Sequence, residues 1–151
     1  MTHHPGIHST RDLFEKLVRE LARLEQEVSP DTFANFVITA HSLCDWVDKD
    51  PAISPAAKAA LPGMRAKALL QVCRDLANGT KHFRLNYPNA VVVDATCITA
   101  FGAGRYGVAP YGVGEPTVQI TLSSGAAADG LKVAREVTAE WRAFCTTHGI
   151  V

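Results

Sequence analysis

The stretch from Arg74 to Arg84, RDLANGTKHFR, holds the densest set of groups able to act on an anion. His82 titrates near neutral pH and can give or take a proton there. Arg74, Lys81 and Arg84 bring positive charge, and the Asn78 amide can both donate and accept. Between residues 58 and 84 there are six basic residues (Lys58, Arg65, Lys67, Arg74, Lys81, Arg84) against a single acid, Asp75, a local charge of +5. Residues 25–50 hold six acids (Glu25, Glu27, Asp31, Asp45, Asp48, Asp50) and one lysine, a local charge of −5. The neutral total of 15 basic and 15 acidic residues therefore conceals two opposite halves. Either the two segments pair across a helix–helix seam, or the basic one lines an anion-facing groove.

Three further patterns could bear chemistry. His41 and Asp45 stand one helical turn apart, with Asp48 beyond them, so imidazole and carboxylate could ligate a metal or bond each other. No third ligand has a fixed spacing to that pair, and the expectation is no metal and no cofactor. Gly102-x-Gly104-x-x-Gly107 matches the dinucleotide-binding pattern, but that motif needs a helix N-terminus directly after it. Pro110, Gly112 and Gly114 follow instead, so the segment reads as an exposed loop. In that loop Arg105, Tyr106 and Tyr111 are residue types enriched where proteins bind one another.

The elements that must position these groups are mostly helical. Ser9 or Thr10 can cap a first helix, with Asp12 in its first turn. Its apolar face is Phe14, Leu17, Val18, Leu21, Leu24 and Val28. Ser29-Pro30-Asp31 starts a second helix, with Phe33, Phe36, Val37, Ala40, Cys44 and Val47 inward, and Asp50-Pro51 ends it. The short junction predicts an antiparallel αα-hairpin. Ser54-Pro55 opens a third helical stretch that Leu61-Pro62-Gly63 interrupts. The main third helix is expected from near Pro62, carrying Leu69, Val72, Cys73 and Leu76, with Asn78-Gly79 able to end it. Ala90 through Ile98 is rich in β-branched residues, and Val118, Ile120 and Leu122 alternate with polar neighbours, which predicts two strands. A last helix after Asp129 turns Leu131, Ala134, Val137, Trp141, Phe144 and Cys145 to one side.

The expected fold is therefore α+β and mostly α. It is an antiparallel bundle of about four main helices, with a two-stranded β-hairpin (90–123, carrying a Gly/Tyr-rich loop) before the C-terminal helix. One domain over residues 1–151 is expected, with 1–8 frayed. With 47% hydrophobic residues the chain is no disordered tail, and no apolar run reaches the ~18 residues that would span a bilayer. A membrane partner is thus not expected. No secretory signal is recognisable, so a cytoplasmic setting with the four cysteines as thiols is expected.

Antiparallel helices with Asn78-Gly79-Thr80-Lys81-His82 at the end of the third one resemble the HEPN superfamily of helical nucleotide-binding domains. The resemblance covers residues 10–85 and the terminal helix. It implies a dimeric, metal-independent ribonuclease of a toxin or phage-defence system. His82 would be the general acid/base, Arg74 the cation holding the phosphate, and Asn78 and Lys81 supporting groups. Seven residues separate Arg74 from His82, where that family has four to six. The chain also resembles small bacterial or phage proteins of unknown activity that carry an Asn-Gly-x-Lys-His motif. Two expectations follow: a non-catalytic interaction or assembly module with a protein partner or a second copy, or an RNA-cleaving enzyme.

Overall fold

In a computed structural model, residues 5–82, 84–85, 87–98 and 116–151 are described. Among them lie five helices, α1 (Thr10–Gln26), α2 (Pro30–Lys49), α3 (Pro55–Arg65), α4 (Ala68–Lys81) and α5 (Gly130–Thr147). Three strands, β1 (Val92–Ile98), β2 (Thr117–Leu122) and β3 (Ala127–Asp129), form an antiparallel sheet in the order β1-β2-β3. The molecule is α+β and mostly helical, as its periodicity predicts.

Local chemistry sets the helix starts. Ser9 accepts from the Asp12 amide while the Asp12 carboxylate accepts from the Ser9 amide, a reciprocal cap of α1. Ser29 and Thr32 do the same for α2, behind Pro30 in the first turn. Asp50, at the end of α2, accepts from the Thr10 amide at 2.9 Å and the Thr10 hydroxyl at 2.8 Å. The end of α2 thus meets the start of α1, which makes the two helices antiparallel.

The core runs between these helices and α5. Phe14, Leu17 and Leu24 of α1 meet Phe36, Val37, Ala40, Leu43 and Val47 of α2, and Trp141 of α5 is fully buried. Trp141 stands edge-on to Phe144, ring centres 5.6 Å apart. Glu20 is a buried acid that the apolar pattern does not reveal. Its Oε1 accepts from Lys16 at 2.8 Å and Arg23 at 2.7 Å, so the charge is paired where it is desolvated.

Three boundaries differ from expectation. The helix does not break at Pro62: α3 runs through it to Arg65, and α4 starts afresh at Ala68. Ala57, Leu61 and Met64 are all buried at four- and three-residue steps, so burial carries the helix across the proline. Asn78-Gly79 does not end α4, which continues to Lys81 with His82 as its cap, the His82 amide donating to the Asn78 carbonyl at 2.7 Å. Third, the hairpin becomes a three-stranded sheet, because the turn at Ser123–Ala126, with Gly125 at φ +84°, returns the alanine-rich 127–129 alongside β2. That segment has low strand propensity of its own.

One glycine is required by packing. A side-chain carbon at Gly130 would sit 2.7 Å from Val118 Cβ and 3.0 Å from Phe33 Cε2. This lets the start of α5, capped by the Asp129 carboxylate on the Lys132 amide, press directly on β2 and α2.

Candidate functional site

The basic stretch is organised around its one acid. Asp75 is 1% exposed on α4, where a lone carboxylate would be very costly. Its Oδ1 accepts from the Tyr87 hydroxyl at 2.6 Å and Arg74 Nε at 2.9 Å, and its Oδ2 from the Val91 amide at 2.5 Å and the Val92 amide at 3.1 Å. Burial alone would raise this carboxyl, but the hydrogen bonds from Tyr87, Val91, Arg74 and Val92 hold it below the ordinary value of 3.8. Tyr87 shifts the opposite way, raised by burial and by donating to Asp75. The carboxylate thus fastens the chain leaving α4 to the beginning of β1.

Arg74 belongs to the same fastening. It bonds Asp75, donates to the Asn89 carbonyl at 2.9 Å, and lies over the Tyr87 ring with 5.0 Å to its centre. Asn78 lies beside the Tyr87 hydroxyl. Lys81 and His82 stand exposed at the far end of the helix. Eight residues of helix place His82 about 12 Å along the axis from Arg74. The fold therefore separates the four expected catalytic residues: Arg74 and Asn78 face the post-helix loop, Lys81 and His82 face solvent.

His41 lies half-buried on α2, in the fields of Asp45, Arg74, Arg65 and Asp75. Burial is the main cause of its lowered pKa; Asp45 and Asp75 oppose the shift, and Arg74 and Arg65 add to it. Asp45 is exposed and stands 3.9 Å from Arg65. No group of three metal-ligating side chains occurs among the described residues. Arg105, Tyr106, Tyr111 and the Gly102–Gly107 pattern lie outside the described residues.

Of the two arrangements open to the opposite charges, a paired seam is met only in part. Among the described residues Arg65–Asp45 is the one ion pair within 4 Å between the basic and the acidic segment, and Lys58 lies in the field of Asp50. Lys67 pairs with Glu140, Arg74 with Asp75, and Glu25 with Arg135. The buried cysteines are unsuited to nucleophilic work, since burial pushes the Cys73 and Cys145 thiols up to about 12.

Sequence reasoning missed the outer edge of β1. In β2 the Leu122 amide bonds the Ala126 carbonyl, so the even-numbered residues of β2 face β3. The odd-numbered ones face β1, as the Ser123 amide does in bonding the Val91 carbonyl. Asp94, Thr96 and Ile98 pair with Thr121, Gln119 and Thr117, so their amides and carbonyls are used by β2. Ala95 and Cys97 must then turn their N–H and C=O groups away from the sheet, and no described residue receives them. Val92 has the same outward sense, and Asp75 takes its amide. Among the described residues the edge is sealed at its start and unpaired from Ala95.

Beneath the open part runs an apolar groove of about 160 Å³, lined by Phe33, Val37, Leu76, Ala95, Cys97 and Val118 among others. It is smaller than the ~300 Å³ at which ligand pockets begin. A larger hollow of about 570 Å³ between Leu21 and the outer side of α5 is shallow and open.

The class defined by these features is a mostly helical α+β protein whose three-stranded antiparallel sheet has β1 at one edge among the described residues. No family model, curated protein or solved structure matches the chain.

Proposed function

We propose that this chain is a non-catalytic interaction or assembly module, of the bacterial or phage kind its motif resembles, docking through the sheet side of the molecule. The observation that carries this reading is the engagement of Arg74. Its guanidinium is held by Asp75, the Asn89 carbonyl and the Tyr87 ring. Binding a phosphate there would take Arg74 from a buried carboxylate. Arg74 also lies about 12 Å along α4 from His82, so the pair does not converge on one phosphate as the ribonuclease reading requires. The open backbone groups of Ala95 and Cys97 offer what an added strand requires.

The competing reading, a HEPN-like ribonuclease using His82, Arg74, Lys81 and Asn78, is tested directly. Purified protein and its His82→Ala variant are incubated with RNA and the cleavage products resolved. Equal, background cleavage is expected. Cleavage by the parent that His82→Ala abolishes, at unchanged thermal stability, would refute the module reading.

A further inference from the structure

Resting on that module reading, we infer that the outer edge of β1 pairs antiparallel with β1 of a second copy, about a two-fold axis through Thr96, joining two sheets into one of six strands.

The alternation of the ladder restricts the register. Only Ala95 and Cys97 present outward N–H and C=O groups within the regular part of the strand. In an antiparallel pair such residues must face one another to exchange bonds. Setting Ala95 opposite Cys97 of the second copy uses both outward residues of both copies. Setting Ala95 on Ala95, or Cys97 on Cys97, leaves one outward residue of each strand facing the bulge at Val93 or residue 99. The bulge, where the register slips between Val92 and Asp94, thus confines pairing to the straight stretch after it.

Side chains agree with this register. Thr96, exposed, would face Thr96 across the axis in a pair without mutual backbone bonds, an arrangement in which threonines interact favourably. Asp94, the only charged residue of β1, would lie opposite Ile98. The two Asp94 carboxylates would be four residues apart, about 13 Å at ~3.3 Å per residue. That exceeds the screening length of about 8 Å at physiological salt, so they do not repel appreciably. A register centred on Asp94 would place them face to face.

Beyond the bulge and Asp94, the stretch 95–98 has none of the charged or proline residues that blunt a free edge. Residues 92–98 contain no lysine and no proline, and Val93 stands 69% exposed. The two-fold lies perpendicular to the joined sheet, so the helices of both copies fall on the same side. The apolar grooves beneath Ala95 and Cys97 then open towards each other, and pairing removes both from water.

Sedimentation equilibrium of the full chain is the test, using Ala95→Pro, Thr96→Lys and Thr96→Glu. The Ala95 amide makes no bond to β2, so proline there leaves the ladder within the molecule intact. The wild type should be a dimer, and Ala95→Pro a monomer with unchanged helical circular dichroism. Thr96→Lys should be a monomer at low salt, and an equimolar mixture with Thr96→Glu should restore a heterodimer. A wild-type monomer at all soluble concentrations overturns the inference. So does a dimer that persists in both Ala95→Pro and Thr96→Lys. Should Ala95→Pro unfold, the charge-swap mixture decides alone. The module reading fails on a different result, the His82-dependent cleavage of RNA.

Discussion

Replacing Asp75 by asparagine keeps the shape of the side chain and removes its charge. In the native protein four donors converge on this carboxylate: the Tyr87 hydroxyl, Arg74, and the Val91 and Val92 amides. An amide offers one oxygen, so its NH2 group must confront either the two backbone donors or the Tyr87–Arg74 pair. Arg74 and Tyr87 are partly exposed and recover water, which limits the loss on that side. A hydrogen bond to a charged group contributes about 1.5–3 kcal/mol, and an unmatched buried donor costs about 1–3 kcal/mol. We therefore expect Asp75→Asn to lower stability by about 3 kcal/mol. For a chain of this size that is a fall in Tm of roughly 6–12 °C.

Urea unfolding of both proteins across pH supplies the sign. The folded-state pKa of Asp75 lies below its ordinary value of 3.8. The unfolded chain therefore takes the proton first as pH falls. The stabilisation is present above pH 3.8 and disappears as pH drops below it towards the folded value. The wild-type and Asp75→Asn stabilities should be separated near neutrality and converge in acid. A neutral-pH difference under about 0.5 kcal/mol, the scatter of ordinary surface substitutions, would refute the fastening role. A gap that stays constant into acid would refute the electrostatic part of it.

Other perturbations have equally definite outcomes. Gly130→Ala puts a methyl 2.7 Å from Val118 Cβ, and overpacking of this kind should cost about 1–3 kcal/mol, read as a lower urea midpoint at unchanged slope. His41, whose folded pKa is lowered from 6.5 by burial, should make the protein less stable as pH falls below 6.5; His41→Gln should flatten that limb in an unfolding series. Along β1, amide exchange measured by NMR at dilution should alternate: Val92, Thr96 and Ile98 protected, Ala95 and Cys97 fast. Protection of Ala95 and Cys97 with fast exchange at Thr96 and Ile98 would show that the ladder has the other parity.

The helices were legible because their signals are local and redundant. Ser9 with Asp12, and Ser29-Pro30 with Thr32, fix two starts, and the stripes of α1, α2 and α5 give the buried faces directly. What escaped was decided at a distance. Pro62 reads as a break until Ala57, Leu61 and Met64 are seen buried together. The segment 127–129 pairs because of the turn before it, not because of its alanines. The site was the least legible part. A run of six cations around one acid draws attention to the cations, yet the acid is the organising group. Its partners Tyr87, Val91 and Val92 lie 12 to 17 residues downstream, a separation no periodicity marks. Two of those donors are backbone amides, which have no signature in a sequence.

The same carboxylate connects the two functional proposals. By holding Arg74, Asp75 engages the cation that the ribonuclease reading assigns to the phosphate. By accepting from Val92, it closes the first outward position of β1 and so defines where the open edge begins. A sheet edge without such a stop could slide by two residues against a partner, since the alternation alone permits every even shift. Sealed at Val92 and bulged at Val93, β1 leaves a span short enough for one register. The group that occupies Arg74 in the basic stretch is thus the one that would make the adjoining strand selective in the proposed pairing.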